Sequence, residues 1–178
     1  MLTVIPSNSE PTFLSEPERN GAGITELNMY FDELKTGMTR DIEPAVIEKD
    51  KMIAFAREYD NIPLHTDEEY AKTTPFGQLI APGVMSFLSV WANYLKVDFY
   101  CDELIAGRST RMEWFKPVFA GDVLTGKATI TDLVKRNERN GLVEMTIDVY
   151  NQNGDLVIRD VTESVVKRLP APSRTGKA

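Results

Sequence analysis

Ala81-Pro-Gly-Val-Met-Ser-Phe-Leu-Ser-Val-Trp-Ala-Asn-Tyr-Leu-Lys96 is the most apolar stretch of the chain. Its spacing predicts a helix. Val84, Phe87, Leu88, Trp91 and Leu95 recur on one face, and Met85, Val90 and Ala92 widen the apolar surface around it. A helix apolar on most sides is a buried helix. Pro82 suits its first turn, where a missing N–H costs nothing. Ser86 and Ser89 are hydroxyls on this otherwise apolar helix. Back-bonding to preceding carbonyls is their expected use, with Ser86 also a candidate for ligand contact.

Downstream the period changes from helical to alternating. Residues 104–114, 122–135, 142–152 and 156–169 read as strands separated by turns. Asn140-Gly141 and Asn153-Gly154 are hairpin signals. Met145, Ile147 and Val149 alternate with Thr146, Asp148 and Tyr150, as in a half-buried strand. One buried helix followed by a long antiparallel meander makes an α+β chain. A sheet wrapped around a central helix, the hot-dog fold, satisfies both patterns, and a two-layer α+β sandwich is its less specific equivalent.

Upstream, residues 39–47 read as extended and 48–59 as a helix with Met52, Phe55, Ala56 and Tyr59 on one face. Pro63 then signals a loop. Thr66 and Glu69 form a capping-box pattern for a short helix through Ala71, and Asp67 supplies favourable charge in its first turn. Residues 1–30 read as an extended arm, 31–169 as the folded domain and 170–178 as a short tail.

A length of 178 residues fits one domain with flanking tails, and 42% hydrophobic content supports a real core. The net charge of −7 argues against nucleic acid as a partner. Met1-Leu-Thr-Val-Ile-Pro6 lacks the basic start of a signal peptide. No apolar run approaches the roughly 20 residues that span a bilayer, so no membrane partner is expected. Cys101 is the single cysteine, which excludes an intrachain disulfide and multi-Cys zinc patterns and fits a reducing cytoplasm. Asp98, Asp102 and Glu103 around it disfavour a thiolate nucleophile. Trp91 and Trp114 are read as core ahead of the alternative, the wall of an acyl pocket.

The chain has one histidine, His65, five residues after Asp60. A carboxylate and an imidazole joined by a short Pro-containing loop can converge on one water, which makes them a candidate acid/base pair. The plainer alternatives are an exposed helix-end Asp60 and a loop His65 that caps the next helix. A carboxylate at a helix C-terminus is disfavoured by the dipole, which favours the functional reading of Asp60. A Ser-His-Asp hydrolase is not supported, because no Gly-x-Ser-x-Gly elbow is present.

Two segments carry a resemblance to a known family. Phe55-Ala-Arg-Glu-Tyr-Asp60, Asn61-Ile-Pro-Leu-His65, Thr66-Asp67, Phe76-Gly77 and Leu79-Ile-Ala-Pro-Gly83-Val-Met85 follow one signature, and Phe115-Lys-Pro-Val-Phe-Ala-Gly-Asp122 follows the second. In this order they resemble the MaoC-like dehydratases and R-specific enoyl-CoA hydratases, which are hot-dog proteins. The resemblance implies a lyase that hydrates a trans-2-enoyl-CoA to the (R)-3-hydroxyacyl-CoA, or runs the reverse dehydration. It places Asp60 and His65 on the catalytic pair and Gly83 on the backbone oxyanion donor. It implies no cofactor or metal, and a homodimer or larger assembly. Pro82, Ser86, Arg108, Arg111 and Lys116 are the candidate substrate contacts, the basic ones facing CoA phosphates. The chain departs from the family at Ile62, where Asn is usual, and at Pro82, where His is common. The competing readings are an acyl-CoA thioesterase and a non-catalytic subunit that binds acyl thioesters; Ile62 is the best support for the second.

Overall fold

The computed structural model describes residues 28–170. The expected arm and tail lie outside that span, apart from residues 28–30 and Pro170. Strands β1 (Thr39–Val46), β2 (Leu104–Trp114), β3 (Val123–Lys135), β4 (Asn140–Tyr150) and β5 (Leu156–Lys167) form one antiparallel sheet in the order β1-β3-β4-β5-β2. Helices α1 (Lys49–Tyr59), α2 (Pro63–Thr66), α3 (Glu68–Lys72) and α4 (Gly83–Tyr94) are inserted between β1 and β2. The chain is therefore α+β, with a five-stranded sheet and one long helix against it.

Alternation works as the sequence implies at the centre of the sheet. Val143, Met145, Ile147 and Val149 of β4 are fully buried, while Glu144, Thr146, Asp148 and Tyr150 are half-buried on the opposite face. The expected continuous meander is corrected. Only β3, β4 and β5 are consecutive neighbours; β2 crosses to the far edge and pairs with β5. Alternation identifies a strand but not its partner. The Asn153-Gly154 turn forms, with Gly154 at φ +79°. Asn140-Gly141 does not turn: both residues lie inside β4, and the reversal is made by residues 136–139. Gly141 serves packing instead, because a Cβ there would overlap the ring of Phe31.

α4 lies across β1 and β3. A Cβ on Gly126 of β3 would stand 2.8 Å from Val90 Cγ1 and 2.9 Å from Ile42 Cδ1, so the glycine permits this close approach. The buried face of α4 is Met85, Ser86, Phe87, Val90 and Tyr94. Val84, Leu88 and Leu95 are exposed, which corrects the expectation that they face the core. A sequence apolar on most sides does not specify which side meets the sheet. Trp91 is half-buried, its ring 5.8 Å from that of Phe87 and 5.0 Å from that of Tyr94.

Two details around the short helices also differ from expectation. Pro63 does not break the chain into a loop; it takes the first position of α2, where its fixed φ suits a helix start. α3 is capped by Asp67, whose carboxylate accepts from the Tyr70 N–H at 3.0 Å, and not by Thr66. The Thr66 hydroxyl donates to the Ile62 carbonyl at 3.0 Å and so closes α2. Among the described residues, no helix is long and apolar enough to cross a membrane.

Candidate active site

α1 ends at Asp60, whose N–H makes the last helical bond, 2.9 Å to the Ala56 carbonyl. There φ moves to −150° and the backbone leaves the helix. The Ile62 N–H bonds the Asp60 carbonyl at 2.8 Å and turns the chain, and α2 carries His65 back beneath the carboxylate. His65 is only 6% exposed. Its Nε2 lies 3.4 Å from Asp60 Oδ2, and its Nδ1 lies 2.8 Å from the Ile80 carbonyl oxygen.

The Ile80 carbonyl fixes the chemistry of the ring. A carbonyl only accepts, so Nδ1 carries the hydrogen, and in the neutral ring Nε2 presents a lone pair. Nε2 and the Asp60 carboxylate are then two acceptors facing one another. A water that donates to both satisfies them, and either can take its proton.

Both sequence motifs meet at this point. Ile80 bridges Phe119, and the Ala81 N–H bonds the Val118 carbonyl at 2.8 Å. Asp122 Oδ2 accepts from the Phe119 N–H at 2.8 Å and shapes the 117–122 turn. The Gly-Asp end of that motif is thus the brace that holds Ile80 against His65.

Asp60, His65 and Gly83 share one cleft of about 480 Å³, with Phe76, Ser86 and Trp114 also in its wall. That volume is typical of a small-molecule site. Gly83 is the first residue of α4, and the first closed helical bond runs from the Ser86 N–H to the Pro82 carbonyl at 3.1 Å. The Gly83 N–H therefore precedes the helical ladder, at the positive end of the helix dipole.

The remaining candidates divide. Lys116 lines the same cleft, and its Nζ pairs with Asp155 Oδ1 at 2.7 Å. Ser86 lines the cleft too, but its hydroxyl back-bonds the Pro82 carbonyl at 3.2 Å. Pro82 is buried as the N-cap residue of α4, one step before the helix begins. Arg108 and Arg111 are not brought to the cleft. Arg108 is the extra residue of a β-bulge and pairs with Glu163 at 3.4 Å, and Arg111 projects from the sheet face opposite that of Trp114. Ile62 is exposed at the N-cap of α2 and lies outside the cleft lining. Among the described residues, no three His, Cys, Asp or Glu side chains gather as a metal site.

Trp114 is the residue that sequence reasoning misread. It is not core: 51% of its surface is exposed and its indole walls the cleft beside Gly83. The available signal was its position, as the last residue of β2 next to the Phe115-Lys-Pro-Val-Phe-Ala-Gly-Asp122 motif.

Comparison with known proteins agrees with the fold. A family model described as a MaoC like domain matches residues 32–153. The chain is 28% identical over 141 residues to the uncharacterized protein YdeM of Bacillus subtilis, covering 79% of this chain and all of that protein. It is 31% identical over 108 residues to an (R)-specific enoyl-CoA hydratase of Rhodospirillum rubrum, covering 59% of this chain and 72% of that one. The crystal structure of a MaoC-like dehydratase from Rhodospirillum rubrum superimposes with a TM-score of 0.71 at 28% identity, over 81% of this chain and 100% of that one. With its sheet, its helix and both motif segments accounted for, the chain belongs to the MaoC-like dehydratase family.

Proposed function

We propose that this protein is a hydro-lyase that interconverts a trans-2-enoyl thioester and the (R)-3-hydroxyacyl thioester. One observation carries the reading: His65 Nδ1 is committed to the Ile80 carbonyl, which leaves Nε2 facing the Asp60 carboxylate 3.4 Å away in the cleft wall. In hydration, one of the pair removes a proton from the shared water, the oxygen adds to C3 and electron density moves to the thioester oxygen. The Gly83 N–H stabilises that developing charge, a contribution on the order of 3 kcal/mol for one such donor. The proton held by the pair returns to C2 from the same side, which makes the addition syn. The similarity to an (R)-specific enoyl-CoA hydratase supports this choice of reaction.

Lys116 is the cation best situated for a phosphate of the thioester carrier, on exchanging its pairing with Asp155 for the ligand. Association of two copies fits the exposed apolar residues Val84, Leu88, Leu104 and Ile105, which lie on α4 and the open edge strand β2. Sedimentation at several concentrations tests that association; a monomer throughout rejects it.

Crotonyl-CoA tests the reaction. Loss of the conjugated-thioester absorbance without thiol release is the expected result. Thiol release identifies a thioesterase instead, and binding with neither signal identifies a non-catalytic subunit.

A further inference from the structure

The Gly83 N–H has a second hydrogen-bond donor beside it. The direction in which a Cβ on Gly83 would point ends 2.7 Å from Cε2 and 2.9 Å from Cδ1 of Trp114, and closer still to Nε1. Distances to the two flanking carbons barely longer than that to Nε1 put that direction over the ring face, since an approach along the N–H bond would leave both carbons much farther away. The indole therefore lies face-on against the Gly83 Cα, with Nε1 the ring atom nearest to it, in the wall of the cleft. An indole N–H donates and cannot accept. Among the described residues it has no acceptor. Trp114 is half-exposed and belongs to the edge strand, so packing alone gives no reason to bring this nitrogen onto the helix start.

Resting on the hydro-lyase reading, we infer that the Trp114 Nε1–H and the Gly83 N–H together form a two-donor cradle for the thioester carbonyl oxygen. The lack of a side chain at Gly83 is what lets the ring and the backbone N–H converge on one oxygen. The second donor holds the thioester plane and takes part of the negative charge that develops when water adds. Trp114 is then a catalytic residue, in contact with the reacting group, and not only a wall.

Trp114→Phe keeps an aromatic ring at this position and removes the N–H donor together with part of the indole's area, so the carbonyl stretch, which reads the donor, is measured alongside the rate. Trp91→Phe, outside the cleft, is the control for loss of a tryptophan. The first readout is the carbonyl stretch of butyryl-CoA labelled with ¹³C at the thioester carbon. This saturated thioester binds without being hydrated, so the measurement is independent of turnover. The expected result is a downshifted stretch in the wild type and in Trp91→Phe, with part of that downshift lost in Trp114→Phe. Equal stretches in all three proteins, or no binding of butyryl-CoA, overturn the proposal. The second readout is crotonyl-CoA hydration, where Trp114→Phe is expected to lower kcat on the order of 10²-fold with little change in KM. Unchanged kcat in an active enzyme also overturns it. A donor-dependent stretch in a protein that never hydrates crotonyl-CoA leaves the cradle standing and rejects the lyase reading, so the two failures are distinct.

Discussion

The Ile80 carbonyl accepts the Nδ1–H of His65 at 2.8 Å, and this one bond decides which nitrogen faces Asp60. It also separates two roles of the ring: Nδ1 holds structure and Nε2 meets the cleft. His65→Asn retains a donor near the Nδ1 position and deletes Nε2, whereas His65→Ala deletes both. Removing a buried donor orphans the Ile80 carbonyl, at a cost of about 1–3 kcal/mol. Thermal melts are expected to show His65→Asn closer to wild type than His65→Ala. Hydration is expected to fall on the order of 10²–10⁴-fold in both, and in Asp60→Asn. Full activity in any of the three rejects the acid/base assignment.

Ile62 stands where the family usually has Asn, and the structure gives that position a local role. It is the N-cap of α2, with no side-chain bond to the helix. Asn is among the best N-caps, and supplying one is worth roughly 0.5–2 kcal/mol. Ile62→Asn is expected to raise the unfolding midpoint and to leave the rate with crotonyl-CoA within about threefold, because the position lies outside the cleft lining. A large gain in rate would instead put residue 62 in the catalytic network.

The same position illustrates what the sequence makes legible. The Asp60–His65 spacing, the helix start at Gly83 and the strand periods are local properties, and local chemistry writes them into the chain. Leu88 and Arg111 lie elsewhere than expected for the opposite reason. Which side of α4 meets the sheet depends on Gly126 in a strand some forty residues later, and which face of β2 carries Arg111 depends on its pairing with β5. Trp114 looks like core by composition. Only the crossover of β2 to the edge beyond β5 leaves it half-exposed beside Gly83.

Asp32 ties the two ends of the described chain together. Its carboxylate accepts from Arg168 Nε at 2.8 Å and Nη2 at 2.6 Å, and from the Leu169 N–H at 2.9 Å. The Arg168 hydrogen bonds, with help from the Leu169 N–H, hold the Asp32 carboxyl below its ordinary value of 3.8. A lowered acid pKa means stability that is fully present above the unfolded value and lost as pH falls through the folded one. Asp32→Asn is therefore expected to melt below wild type at pH 7, with the gap narrowing once the pH drops below about 4. A gap that stays constant with pH shows that the charge on Asp32 contributes nothing.

Asp160 has the opposite sign. It is fully buried on the inner face of β5, with the Thr110 hydroxyl donating to Oδ1 and, among the described residues, no partner for Oδ2. Burial raises its pKa above the ordinary 3.8, and the Thr110 bond offsets only part of this. A carboxyl with a raised folded pKa favours the folded state fully below the unfolded value, and that contribution is lost as pH rises through the folded one. When ionised, the group is a buried charge with half its acceptor capacity unused, which is costly. Asp160→Asn keeps the shape and the acceptor for Thr110 and removes the charge. It is expected to stabilise the protein by about 1 kcal/mol at pH 7, a rise of roughly 2–4 °C in Tm for a chain of this size. The advantage should shrink steadily as the pH is lowered toward 4. A variant that melts below wild type at pH 7 would mean that the ionised carboxylate is itself needed, and that Oδ2 meets a partner supplied by ligand or by a second copy of the chain.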